Sequence, residues 1–240
     1  MDKLAWLRSV CQKNGLTIAE SRLDVIQRYV SLLLDWNRKI NLISRRDESN
    51  VWERHILHSI AMLFKLQLMN AGRVLDLGAG GGLPGIPIKI IISTLQLTCL
   101  DSVRKKTIAL ENIVRQLSLT DAEVVWGRAE QLGMKNGFRS KYDYVLCRAV
   151  GPLTQLVKWS EPFLKRFNES VAPETTGEPY HRFRVPVGSL IVWKGGDLDR
   201  ELKVTRTLKS VRSITVVPLV FKGSETMEAS DKQLVIVSLN

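Results

Sequence analysis

Between Val74 and Gly85 the chain reads Val74-Leu75-Asp76-Leu77-Gly78-Ala79-Gly80-Gly81-Gly82-Leu83-Pro84-Gly85, an apolar run that passes a carboxylate and enters a glycine-rich turn. A turn of this kind, entered from a buried strand and left into a helix, lets backbone approach a ligand closely. Gly78 and Gly80 are the positions where that freedom is expected to matter. Asp101 closes the next apolar run, where a carboxylate accepts hydrogen bonds from ribose hydroxyls. The pair suits a nucleoside-containing cofactor. In a dinucleotide fingerprint the third glycine would fall at Leu83, which Pro84 follows, and Asp76 would set a negative charge beside a pyrophosphate. The same carboxylate suits an ammonium and a sulfonium. S-adenosylmethionine is therefore the expected cofactor, and NAD the alternative.

Other groups with chemical capacity are weaker. Cys147 ends an apolar run near the turn and could attack a pyrimidine, but no proline precedes it, and a buried inert thiol is the expectation. No Asn or Asp followed by two prolines is present there to accept an exocyclic amine. His55 and His58 lie one helical turn apart without a third ligand at metal spacing, so no metal is expected. His55 is expected to pack at a junction with one nitrogen satisfied. Arg104, Lys105 and Lys106 open a helix, where positive charge opposes the macrodipole. Phosphate contact is the reading that gives them a purpose. Arg38 and Lys39, with Arg45 and Arg46, could form the opposite side of an RNA-binding surface.

These residues need a frame. Short apolar runs at Val74–Leu77, Leu97–Leu100, Val124–Trp126, Tyr144–Cys147 and Leu190–Trp193 read as strands. Helical stretches near Ile86–Ser93, Val103–Leu117 and Pro152–Phe167 alternate with them, which implies a parallel sheet covered on both faces. Ser213–Phe221 and Gln233–Leu239 follow one another as an antiparallel pair at the sheet edge. Residues 1–70 read as a helical extension, with a capping box at Thr17 and Glu20 and a stripe of Ile26, Tyr29, Leu33, Trp36 and Ile40. A second helix runs from about Val51. Residues 71–240 form the main α/β domain, with a surface loop near 168–186.

The 240 residues carry a formal net charge of +11, which favours a polyanionic partner and places nucleic acid ahead of a membrane. Three scattered cysteines fit a reducing compartment. Arg8 and Lys13 break any secretory signal near the start. Pro84, Pro87 and Lys89 break the longest apolar stretch, so no membrane span is expected. A cytoplasmic monomer is the default expectation.

Six ordered segments then narrow the reading. The run from Asp76 to Pro87 resembles the cofactor loop of the RsmG family, once called GidB. Trp36-Asn37-Arg38-Lys39-Ile40-Asn41-Leu42 and Arg54-His55-Ile56-Leu57 resemble its N-terminal motifs. Leu100-Asp101-Ser102 with Lys105-Lys106, Gly127-Arg128-Ala129-Glu130 and Arg148-Ala149 resemble its later ones, and Trp193-Lys194-Gly195 extends the match. The resemblance implies a Rossmann-like class I methyltransferase fold and methylation of guanine N7 in 16S ribosomal RNA. It also implies that Gly78, Leu83, Asp101, Ser102, Ala129, Glu130 and Arg148 line the cofactor site. The substrate would be 16S RNA or the small-subunit particle. Cys147 stands where the family has Ser, and His58 where Asp is common. An NAD-dependent oxidoreductase and a methyltransferase acting on another RNA or a small molecule are the alternatives. No general base accompanies the motifs, and Arg148 is the candidate for positioning the reacting base.

Overall fold

The computed structural model describes residues 2–167, 182–223 and 231–240. Helix α1 (Lys3–Lys13) starts on Asp2, whose side chain accepts the Leu4 N–H. Helix α2 (Glu20–Asn37) buries Leu23, Ile26, Tyr29, Val30 and Leu33 along one face, the spacing of a core-facing helix. Its start departs from the expected capping box: Ala19 is the cap residue, and Glu20 pairs instead with Arg8 of α1. That ion pair takes the carboxylate that the box would have required. The expected stripe ends early because the buried Asn37 turns the chain, its Oδ1 accepting from Leu42 N at 2.8 Å and Ile43 N at 2.9 Å.

The connector that follows contains a 3-10 turn at Arg45–Asn50. The second helix begins as a π-helical turn, Trp52–Leu57, and continues through α3 (His58–Ile60) and α4 (Met62–Lys65). Strand β1 (Leu66–Gln67) then pairs in parallel with β6 (Phe183–Arg184), a contact that no local pattern signals in two-residue strands. Of the expected loop near 168–186, residues 168–181 lie outside the described residues.

The main sheet has strand order β4-β3-β2-β5-β7-β9-β8. Its parallel part comprises β2 (Arg73–Leu77), β3 (Gln96–Asp101), β4 (Ala122–Trp126), β5 (Tyr144–Arg148) and β7 (Ser189–Gly195). Strands β8 (Val211–Pro218) and β9 (Lys232–Leu239) pair antiparallel, with β8 on the edge. Crossovers include α5 (Gly85–Ile91), α6 (Arg104–Gln116), the short α7 (Ala129–Leu132), α8 (Leu153–Ser160) and α9 (Asp199–Thr205). Helix α8 is shorter than the run Pro152–Phe167 suggests. Pro162 supplies no N–H and disfavours helical backbone before it, so the chain tightens to a 3-10 turn at Glu161–Phe163 and then extends.

One apolar core joins the N-terminal helices to the sheet face beneath them, from Leu7, Ile26 and Leu33 to Ile86, Leu110 and Ile236. The join falls on the glycine turn itself. Tyr29 Oη donates to Gly81 O at 2.9 Å, and a Cβ on Gly81 would meet Leu33 Cδ1 at 2.6 Å and Leu42 Cβ at 3.3 Å. Gly81→Ala should therefore lower stability by about 1–3 kcal/mol through overpacking. On a Leu33→Ala background the same change should cost less than half as much, since the methyl group then has space. Denaturant titrations of the four proteins measure the coupling, and additive costs would mean that α2 does not press on the turn.

Candidate active site

The carboxyl ends of β2, β3, β4 and β5 lie side by side, which is where ligands bind in open parallel sheets. A cavity of about 350 Å³ opens there. Leu77 and Gly78 form one wall, Leu100 to Val103 the next, and Gly127 to Glu130 another. Ala149, Val150, Trp159 and Lys106 complete it. The volume is at the lower end of the range for small-ligand pockets, about 300–1,000 Å³.

The glycine turn is shaped by its neighbours. Gly78 N and Ala79 N both donate to Leu100 O, at 2.8 and 3.0 Å, tying the start of the turn to β3. Gly78 sits at φ +75°, and a Cβ there would fall 2.6 Å from Val150 Cγ2, so glycine is required twice over. Asp101 holds the other side. Its Oδ2 accepts from Gly80 N at 2.9 Å and its Oδ1 from Val103 N at 2.8 Å. Each carboxylate oxygen keeps further acceptor capacity, and the residue lines the cavity. Those walls suit a nucleoside: acid acceptors at one side, apolar Leu77, Leu100 and Val150 at the others.

Of the residues marked in the sequence, Gly78, Asp101, Ser102, Ala129 and Glu130 thus share one cavity. Gly80, Leu83, Asp76 and Arg148 lie outside its walls. Gly80 has φ +56° and open space beside it, with Leu42 O the nearest atom at 3.8 Å from a Cβ. Leu83 is buried in the core. Asp76 is fully buried beneath the turn, its Oδ2 accepting from Gly85 N at 2.8 Å and its Oδ1 without a partner. Burial pushes its carboxyl up from 3.8 to about 7, although the Gly85 N–H and the Arg148 charge pull the other way.

Arg148 reaches toward the N-terminal helices. Its Nη2 donates to His55 Nδ1 at 2.7 Å, and its Nη1 lies 3.4 Å from Arg54 O. His55 Nε2 faces Asp47 Oδ2 at 3.5 Å. His55 does sit at the junction with one nitrogen satisfied. Burial, then the Arg148 charge, hold it down at about 4, and His58 at about 3 for the same reasons. Both rings are neutral near pH 7. The Cys147 thiol is completely buried, directs its Sγ at Leu77 O, and is pushed far up by burial. No group of His, Cys, Asp or Glu suited to a metal occurs among the described residues.

The sequence gives no signal for some of the cavity. Val150 and Trp159 are apolar residues without chemical signature, brought in beside Ala149 by the turn after β5 and by α8. That turn is braced from behind: Lys194 Nζ donates to Gly151 O at 3.0 Å and to Glu201 Oε1 at 2.7 Å, while Glu201 also accepts the Leu153 N–H. The basic candidates divide. Arg38 pairs with Asp35, and Lys39 Nζ lies 4.8 Å from the centre of the Trp36 ring. Arg104 stacks on Trp126, Lys106 reaches the cavity, and Lys105 is exposed.

A family model described as rRNA small subunit methyltransferase G, GidB, matches residues 22–173. The chain belongs to the GidB family. Proteins named ribosomal RNA small subunit methyltransferase G are similar to it along its length. That of Moorella thermoacetica is 31% identical over 240 residues, covering 98% of this chain and 90% of the relative. That of Chlorobium phaeobacteroides is 35% identical, covering 83% and 79%. That of Alkaliphilus oremlandii is 36% identical, the match spanning 66% of each chain. Among solved structures, a SAM-dependent methyltransferase from Aquifex aeolicus superposes with a TM-score of 0.51 at 14% identity, covering 81% of this chain and 95% of that one. The fibrillarin/Nop5p complex gives 0.53 at 16%, covering 76% and 81%. The fold is the Rossmann-like one of S-adenosylmethionine-dependent methyltransferases, and the NAD-dependent alternative is not favoured.

In this GidB protein the buried Asp76 carboxyl has a sign-definite effect on stability. A carboxyl raised from 3.8 to about 7 favours the folded state fully below pH 3.8, and that contribution is lost as pH rises through about 7. His55 and His58 act oppositely, their contribution being lost as pH falls from 6.5 toward 4 and 3. Asp76→Asn keeps the acceptor for Gly85 N and removes the ionisation. It should raise the melting temperature more at pH 8 than at pH 5, and a thermal melt showing equal shifts at both would contradict the assignment.

Proposed function

We propose that the protein transfers the methyl group of S-adenosylmethionine to N7 of a guanine in 16S ribosomal RNA. The observation that carries this is the single cavity that gathers Gly78, Asp101, Ser102, Ala129 and Glu130 in a GidB-family chain. When bound, the cofactor supplies an electrophilic methyl on a sulfonium. Asp101 and Ser102 would receive its ribose, and Ala129 and Glu130 its base. Gly78 and Gly80 would let the backbone pass close by, and Leu83 would seat the turn on the core. Asp76, with one carboxylate oxygen unpartnered, is the group able to answer a cationic ligand from beneath the turn.

The chain's own part in the reaction is placement. Guanine N7 carries a lone pair and no proton, so direct attack needs in-line positioning and no proton acceptor. The titratable groups agree with that division. His55 has its Nδ1 occupied by Arg148, the Nε2 of His58 is buried without a partner, and the Cys147 thiol is inert. Arg148 serves as a positioning group. A bidentate grip on guanine O6 and N7 would occupy the attacking lone pair, so its contact falls elsewhere: O6, a phosphate or the cofactor. The N-terminal residues 1–70 add Arg38 and Lys39 to an RNA-facing surface completed by Arg104, Lys105 and Lys106. The RNA is met free or in the small-subunit particle, in the cytoplasm, by a monomer. No helix among the described residues is long and apolar enough to cross a membrane.

The test is mapping of labelled methyl groups on small-subunit RNA incubated with the protein. Label at N7 of a guanine is the expected result, and label at an exocyclic amine or a pyrimidine carbon would end the N7 assignment. Asp101→Ala should weaken cofactor binding by roughly 1–3 kcal/mol through the loss of charged hydrogen bonds, as calorimetry would show.

Cofactor binding and chemistry should differ in their pH dependence. With RNA and cofactor saturating, single-turnover rates should be flat between about pH 6 and 8, because no base has to be deprotonated. Cofactor affinity should rise with pH through about 7 as Asp76 ionises, and Asp76→Asn should abolish that rise. Measuring from pH 5.5 to 7.5 stays below the usual range of an α-amino group, about 7.7–8.0. A single-turnover rate that climbs through this window would reinstate a general base.

A further inference from the structure

Strand β4 lies at one edge of the sheet, opposite the β8 edge, and its last residue, Trp126, pairs with Asp101 at the end where the cavity opens. The chain has six tryptophans, and five of them are buried or partly covered. Trp126 is 52% exposed. It is nevertheless held in place: its Nε1 donates to Ser102 O at 3.1 Å, and the Arg104 guanidinium carbon lies 4.7 Å from the ring centre. An indole fixed by its polar edge and by a stacked cation, with most of its surface open, is an arrangement for meeting a flat partner.

The surrounding charge indicates which partner. Arg104, Lys105 and Lys106 open α6 with no acidic residue in its first turn, and Arg128 follows Trp126 on the cavity wall. None of these four cations pairs with a carboxylate among the described residues. Aromatic surface interleaved with uncompensated cations fits single-stranded nucleic acid, where bases stack while phosphates meet positive charge. Duplex RNA hides its base faces, so an open ring selects unpaired nucleotides.

We propose that Trp126, capped by Arg104 and flanked by Lys105, Lys106 and Arg128, is a stacking platform for an unpaired nucleotide of the substrate RNA. The inference rests on the RNA-methylating function proposed above and adds a site to it. The Trp126 ring is not among the cavity walls, so a base stacked on it leaves the target base free to present N7.

Fluorescence anisotropy with a labelled, unstructured oligoribonucleotide tests the platform, alongside calorimetry with S-adenosylhomocysteine. Trp126→Ala should weaken oligonucleotide binding by about tenfold, in the range for loss of one base–aromatic stack. Trp126→Phe should stay within about threefold of the wild type, since any aromatic face accepts a base. Neither change should alter the salt slope, whereas Lys105→Ala should reduce it by about 1. An abasic oligomer of equal length should bind the wild type and Trp126→Ala alike. Trp126→Ala binding within twofold of the wild type would overturn the proposal, as would Trp126→Phe binding as weakly as Trp126→Ala. Equal loss of S-adenosylhomocysteine affinity in both variants would make Trp126 a cavity wall and overturn it too. Failure of the wild type to methylate small-subunit RNA would instead remove the proposed function, leaving the platform to be judged on the oligonucleotide data.

Discussion

The cavity is held in shape by one carboxylate that bonds two turns at once. Asp101 accepts from Gly80 on the turn after β2 and from Val103 on the turn after β3, so the spacing of the two turns is set by the width of a single side chain. Backbone amides aimed at a shared acceptor cannot wander, and the positive-φ glycines at 78, 80 and 82 are the backbone states that let them converge. The opposite wall, the turn after β5, has its own brace in the Lys194–Glu201 pair. Preorganisation here is a matter of polar groups satisfied from behind.

A second layer of polar groups carries cost. Asp76 is fully buried with one oxygen unpartnered, and the neutral His55 and His58 rings lie against the charge of Arg148. Unmatched polar atoms in a low-dielectric interior are destabilising, and a protein selected for stability alone would have replaced them. Their concentration under the glycine turn and at the junction with α2 fits a site that trades stability for a ligand of defined charge.

Much of this was legible in the residues. The apolar runs located every long strand of the main sheet, most plainly β2, β5 and β7, which are buried on both faces and read as continuous apolar sequence. Asp101 and the glycine turn were legible because glycine and acid at strand ends have few other uses. Other features depended on partners distant in the chain. The β1–β6 pair is too short to leave a periodic pattern. The Thr17–Glu20 signature is not used: the helix starts on Ala19, and Glu20 pairs with Arg8 of another helix. Trp159 and Val150 reach the cavity through the fold and carry no motif. Arg148 was marked for the cofactor site, and in the structure it is turned toward His55 by a ring whose neutral nitrogen accepts its N–H.

The contact between Tyr29 and Gly81 makes the helical extension and the glycine turn parts of one body. They share an apolar core through Leu33 and Leu42, so neither can loosen without the other. Thermodynamic linkage then fixes a symmetry between the two ligands. Were the proposed RNA substrate to grip the extension, any free energy by which it favoured the cofactor would equal that by which the cofactor favoured the RNA. A methyltransferase joined in this way can couple its two sites without a separate regulatory site, whichever ligand arrives first, for the cofactor turn and the helices above it share one core.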